Sequence, residues 1–338
     1  MDLNTIWFLL IGVLIIGYAV LDGFDLGVGI LSLFARSEHE RRVYLNAIGP
    51  VWDGNEVWLL TGGGALFAAF PIVYATVFSS FYLALMLVVA ALIARAASFE
   101  FRGKLAGPGW RKLWDWCFGL GSLVAGLLYG VAVGNLIRGI PIDESGNFTG
   151  SFVGLLNPYA ILVGLVGLAM FTMQGAAYMC LKAEGEHLER MRRWTQGGWL
   201  AFIVLYLLAT IVSIFAAPHA FQGVLGNPLF WVLSLVLIVA VVYVPVASRA
   251  ARYGRAFLAS SGTIIALVGL AAVGMFPRIV PSSTDLAYSL TIYNAASTPR
   301  TQTAMLIIAL IGMPLVIAYT AYIYRVFKGK VVLTEDSY

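Results

Sequence analysis

Nine apolar runs of about 20 residues each, the length an α-helix needs to cross a bilayer, limit what this chain can become more than any other feature. They fall at roughly Ile6–Phe34, Val51–Phe70, Tyr74–Ala94, Trp116–Leu136, Pro158–Leu181, Trp199–Ala217, Leu229–Ser248, Phe257–Phe276 and Thr303–Phe327. The expected fold class is all-α integral membrane, with nine transmembrane helices arranged as two four-helix bundles plus one extra helix. Only 11% of the residues are charged against 60% hydrophobic, about half the charged share of a soluble domain. No linker or low-complexity tract divides the chain, so residues 1–338 read as a single polytopic membrane domain. Pro71-Ile72-Val73 alone separates the second and third runs, which predicts a tight helical hairpin. Met1–Thr5 lacks a positive n-region and the first run is too long for an h-region, so no cleavable signal peptide is expected.

Orientation follows from Lys and Arg. The loops after the first, third, fifth and seventh spans, with the C-terminal tail, hold 18 of the 21 basic residues. This predicts an outer N-terminus and a cytoplasmic C-terminus. The basic residues are scattered over loops, so the net charge of +4 is no nucleic-acid signature.

Carboxylates inside spans are expensive, about 2.5–3.5 kcal/mol each at a helix centre, and so ask for a reason. Asp22 and Asp25 lie three residues apart in the inner half of the first span, and Asp53 and Glu56 repeat that spacing at the start of the second. Residues three apart share a helical face. Asp115 opens the fourth span from the same cytoplasmic side. One reading is structural: the acids cap backbone amides, as Asp53 before Gly54-Asn55 could, or hydrogen-bond neighbouring helices. The other is a proton-conducting cluster, because like-charged carboxylates in a low dielectric share protons. Glu38, Glu40, Asp143, Glu144, Glu184, Glu186 and Glu189 fall in loops.

The glycines around these acids, Gly17, Gly23, Gly27 and Gly29 on the first span and Gly62-Gly63-Gly64 on the second, allow close helix approach. Trp52 fits an interfacial anchor, whereas Trp58 lies nearly two turns deeper. His39, His187 and His219 all map to loops, and no Cys or His cluster has metal-ligand spacing. The chain is therefore expected to bind neither haem nor metal, with Met170 and Met173 filling the core. Cys117 and Cys180 lie near cytoplasmic helix ends, where thiols stay reduced and no disulfide forms.

The segments Gly17-Tyr-Ala-Val-Leu-Asp-Gly-Phe-Asp-Leu-Gly-Val-Gly29 and Trp52-Asp-Gly-Asn-Glu-Val-Trp58 resemble subunit II of the cytochrome bd-type quinol oxidases. So do Gly62-Gly-Gly-Ala-Leu-Phe-Ala-Ala-Phe-Pro71, Leu113-Trp-Asp-Trp116, Gly134-Asn135-Leu136, Leu156-Asn-Pro158 and Met275-Phe-Pro-Arg-Ile-Val-Pro-Ser-Ser-Thr284. The likeness covers nearly the whole chain in order, and the short loop between the sixth and seventh spans resembles the cyanide-insensitive branch. The resemblance implies a multi-pass protein of the bacterial inner membrane in a complex that oxidises quinol and reduces dioxygen to water, electrogenic without pumping protons. It places two haems b, and haem d or a b-type substitute, in a haem-bearing subunit I. Small single-helix accessory subunits, lipid and quinone are further implied partners. By the same resemblance Asp53 takes up protons from the cytoplasm, Asp22 and Asp25 share its polar region, and Trp58 borders an oxygen route. Glu56 departs from the family pattern, where other members carry Gln.

Two other readings use the same residues. A proton-coupled transporter would hold its substrate at the midplane near broken helices and work as a lone chain. A purely structural scaffold would leave proton uptake wholly to subunit I.

Overall fold

The computed structural model describes residues 1–334 and 337. Asp2 caps the first helix, its carboxylate accepting from the Thr5 amide at 2.8 Å, and α1 (Leu3–Ser32) then runs unbroken. Its second half is buried on every side from Asp22 to Leu31, because α3 (Trp52–Ala69), α6 (Pro108–Arg138), α8 (Pro158–Lys182) and α11 (Tyr253–Met275) all pack against it. Glycine makes this crowding possible. A Cβ on Gly27 would strike the Phe171 carbonyl, and one on Gly175 would come within 2.5 Å of the Gly27 backbone. The backbones of α1 and α8 therefore touch, in the manner of small-residue membrane interfaces.

Helix α8 also packs on α6 and on α9 (Gly185–Ala216), and α10 (Pro228–Arg249) pairs with α11. Helix α5 (Tyr82–Phe101) lies on α6, while α12 (Pro299–Val326) leans on α1 and α3. Large apolar side chains of α10 and α12 remain exposed, as on a surface bathed by hydrocarbon.

Three expectations change. Among the described residues eight helices, rather than nine, are long and apolar enough to cross a membrane. The second expected span is helical, as α3, but Asp53, Asn55 and Glu56 in its opening turns lower its hydropathy. The tight hairpin is replaced by a separate helix, α4 (Pro71–Ser80), so the third span starts at Tyr82 and continues past Ala94 to Phe101. Pro71 sits at the first turn of α4, where its missing N–H matters least. At the other end Ser79 and Ser80 donate to the Thr76 carbonyl at 3.1 and 2.5 Å, a back-bonding that disturbs a helix. Phe81 (φ −96°, ψ 15°) then breaks it.

Thirdly, the expected loop after α1 holds an amphipathic helix, α2 (Glu38–Ile48), capped by Ser37 and burying Val43, Tyr44, Leu45, Ala47 and Ile48. Glu38 and Glu40 thus stand in a helical first turn. Glu186, Glu189 and His187 belong to α9, and His219 to a 3-10 turn at Pro218–Phe221. At the opposite end of the molecule the two long connections interlock. A strand β1 (Arg278–Val280) pairs antiparallel with β2 (Leu290–Thr291), Ile140 bridges Ser282, and the one-turn helix α7 (Phe152–Leu155) leads into α8.

Candidate functional site

Helical spacing puts Asp22 and Asp25 on one face of α1, and both side chains are fully buried. The residue that answers them is Arg95 of α5, also 0% exposed. Its Nη2 donates to Asp22 Oδ1 at 3.0 Å and its Nη1 to Glu56 Oε1, so one guanidinium ties α1, α3 and α5 together. Gly121 on α6 makes room for that segment of α5, since a Cβ there would lie 3.1 Å from Arg95 Cβ.

Around this core runs a chain of polar contacts. The Tyr18 hydroxyl donates to Asp22 Oδ2 at 2.8 Å and lies 2.9 Å from the Tyr129 hydroxyl of α6. The Asn55 amide donates to Asp25 Oδ2 at 2.7 Å and to the Leu21 carbonyl at 3.2 Å. Tyr324, from α12, donates to Asn55 Oδ1 at 3.0 Å. Every helix of the first half that reaches the cluster thus contributes a polar atom. Asp25 Oδ1, Arg95 Nε and Gln174 Oε1 are buried without a hydrogen-bond partner among the described residues.

Charge counting says what the cluster can do. Three carboxylates face one guanidinium, so full ionisation leaves two negative charges in excess. Burying an uncompensated charge costs several kcal/mol, and the neutral form of the group carries two protons. A group that needs protons to be neutral has the chemistry that a proton carrier requires. Among the described residues no group of three His, Cys, Asp or Glu side chains is disposed to hold a metal ion.

The expected residues separate into two sets. Asp22, Asp25 and Glu56 meet at Arg95. Asp53 does not join them: it is exposed in the first turn of α3, with no hydrogen bond or ion pair among the described residues. It is not an N-cap either, because Val51 occupies that position without a side-chain bond. Glu56, one turn further on, stands between, its side chain 22% exposed. Trp58 packs flat against α1 at Gly17, where a Cβ would collide with its ring. Trp52 stacks on Phe99 with centroids 4.9 Å apart.

Arg95, Asn55, Tyr18, Tyr129 and Tyr324 escaped sequence reading. Arg95 has a signal, a lone cation in Ala90-Ala-Leu-Ile-Ala-Arg-Ala-Ala97; it lies just past the expected end of the third span at Ala94, and only the length of α5 puts it inside.

Asp115 belongs elsewhere. It sits at the charged end of the molecule beside Glu38, and Arg102 holds both. Arg102 Nε donates to Asp115 Oδ1 at 2.7 Å, and its Nη2 donates to the two oxygens of Glu38 at 3.0 and 2.8 Å.

Comparison with known proteins follows the same lines. The family described as "Cytochrome bd terminal oxidase subunit II" matches residues 3–327. Cytochrome bd-I ubiquinol oxidase subunit 2 of Escherichia coli strain K12 is 38% identical over 360 aligned positions, covering 97% of this chain and 95% of that protein. Cytochrome bd ubiquinol oxidase subunit 2 of Bacillus subtilis strain 168 is 36% identical, covering 98% and 97%. In fold, the chain is similar to a chain of the bd oxidase from Geobacillus thermodenitrificans, with a TM-score of 0.81 at 17% identity over 97% of this chain and 99% of that one.

Proposed function

This chain belongs to the cytochrome bd terminal oxidase subunit II family, and from that membership we propose how its parts serve the oxidase. It is a multi-pass protein of the bacterial inner membrane and one subunit of a bd-type quinol oxidase, an oxidoreductase complex that also contains a subunit I.

Quinol oxidation and dioxygen reduction take place at the haems of subunit I, two haems b with haem d or a b-type substitute, while this single membrane domain carries no haem. His39, His187 and His219 stand in α2, in the first turn of α9 and in a 3-10 turn, a placement that supports haem ligation by the partner. The N-terminus lies outside and the C-terminus in the cytoplasm, an assignment supported by basic side chains gathered at the α2 end.

In that orientation the chain supplies protons to the partner. Asp53, exposed at the start of α3, takes them from the cytoplasm. Glu56, one turn deeper and half-open, passes them to the Asp22–Arg95–Asp25 group, where Asn55 and Tyr18 orient the carboxylates. The complex is electrogenic without pumping, since chemical protons come from one side and quinol protons leave on the other. Trp58 borders an apolar route for oxygen. One observation carries this reading: a fully buried pair of carboxylates, joined by Arg95 to the partly exposed Glu56, lies one helical turn from Asp53, an exposed acid with no hydrogen bond or ion pair among the described residues.

Arg95 also supports a second reading, in which the cluster is a structural tie between three helices and proton uptake belongs to subunit I. Affinity purification through this chain in mild detergent separates the readings, read by reduced-minus-oxidised haem spectrum and quinol-dependent oxygen uptake. Co-purified haem with turnover lost in Asp53→Asn supports uptake here. Unchanged turnover in Asp53→Asn leaves the tie. A haem-free monomer overturns the oxidase assignment.

A further inference from the structure

At the charged end a concave pocket of about 490 Å3 opens between the α1–α2 turn and the first turns of α6. Four cations and two carboxylates meet there: Arg41, Arg102, Arg111 and Lys112 against Glu38 and Asp115. The acids do not cancel the cations at the mouth, because Arg102, only 5% exposed, grips both from behind through three hydrogen bonds. Arg41 touches Asp115 at 3.3 Å and Arg111 reaches Glu38 at 3.8 Å, each with N–H groups to spare. Lys112 is exposed and has no ion pair or hydrogen bond among the described residues.

The pocket's wall is also the start of a 31-residue helix. Gly107, at the N-cap of α6, offers no side chain to its amides, and a Cβ on Gly107 or Gly109 would meet nothing within 4 Å. Free amides at a helix N-terminus add to the pull on an anion. The apolar surroundings set the depth. Trp110, Trp114 and Trp116 fall within seven residues of α6, the residue type that marks headgroup level. Leu113, Trp116 and Leu120, at helical spacing, form an exposed apolar strip leading from the mouth along α6.

A cationic pocket joined to an apolar strip fits an amphiphile. We propose that this pocket binds the phosphate of an anionic phospholipid, with Lys112, Arg111 and Arg41 around the phosphate and an acyl chain along Leu113, Trp116 and Leu120. A free phosphate ion shares the headgroup's chemistry but has no use for the strip. The proposal concerns a surface apart from the Arg95 cluster and does not depend on the proton reading.

The test uses the purified oxidase complex in phosphatidylcholine nanodiscs, with phosphatidylglycerol as the probe and native mass spectrometry counting retained lipid. The expected result is selective retention of phosphatidylglycerol over phosphatidylcholine. Removing one interfacial cation weakens anionic-lipid binding by about fivefold, so Lys112→Gln lowers retention by about that factor and Arg111→Gln with Lys112→Gln lowers it further, while Lys112→Arg restores it. Lys104→Gln, in the α5–α6 connection but outside the pocket, leaves retention unchanged. Three results overturn the proposal: equal retention of both lipids, an equal loss in Lys104→Gln, or displacement of the lipid by inorganic phosphate at matched ionic strength.

Discussion

Arg95 and Asp22, 73 positions apart in the chain, meet as a fully buried ion pair at 3.0 Å, and the second arm of the same guanidinium reaches Glu56. A single cation thereby answers two fully buried acids and a third, Glu56, at their edge. Removing one partner of such a group is far worse than never having built it.

Arg95→Met is therefore expected to destabilise the protein by about 3–5 kcal/mol. Arg95→Lys falls between, because an ammonium cannot form the two-armed contact. Thermal unfolding of the purified complex measures both. Pairing Arg95→Met with Asp22→Asn should cost less than the sum of the single changes, since the double variant strands less charge.

Asp53 gives the opposite pattern. It is exposed and unpaired among the described residues, so Asp53→Asn leaves the melting temperature within the range of an ordinary surface change, about 0.5 kcal/mol. If protons come in there, quinol-dependent oxygen uptake falls about tenfold, equivalent to ~1.4 kcal/mol on the barrier. Asp22→Asn should lower both stability and turnover.

The α1–α8 contact predicts a sharp contrast between glycines of one helix. Gly27→Val drives a side chain into the backbone at Phe171 and is expected to cost at least the 1–3 kcal/mol of ordinary overpacking, about that much or more because backbone cannot yield. Gly12→Ala meets nothing within 4 Å and gains about 0.5–1 kcal/mol of helix propensity. Accumulation of folded protein in the membrane, followed by a fluorescent fusion, compares the two.

At the charged end, burial alone would raise the Glu38 carboxyl, but the Arg102 bonds and the nearby Arg111 and Arg41 outweigh it and hold it below 4.5. Glu40 is lowered in the same way, burial being overcome by Arg190, the Arg36 amide and His187. A lowered folded pKa means stability that is complete above the unfolded value and lost as pH falls through the folded one. The contribution of these two acids to the melting temperature should thus hold down to about pH 5 and decline below the unfolded value of about 4.3. Arg102→Gln, lowering stability at neutral pH, should flatten the part of that decline due to Glu38.

Much of this was legible in the chain. Apolar length alone placed eight spans, and the three-residue spacing of Asp22 with Asp25 located one wall of the cluster. What failed did so for identifiable reasons. The third apolar run gives way to polar and charged residues from Arg95 on, so hydropathy cuts Arg95 from α5 although its charge is neutralised by acids from other helices. Periodicity cannot see that Ser79 and Ser80 turn back on Thr76, and so α4 was merged with its neighbour. The spacing of Asp53 and Glu56 suggested a shared role in one group, yet at a helix start a single turn separates open solvent from the interior. Tyr324 lies 269 positions from Asn55, a pairing no local pattern contains.

That last contact bears on how the chain is made. Because α12 follows α1 and α3 by more than two hundred residues, the hydrogen bond from Tyr324 to Asn55, and through Asn55 the fixing of Asp25, closes only after all the helices between have been made. Until then Asn55, the residue that holds Asp25, is itself one polar partner short.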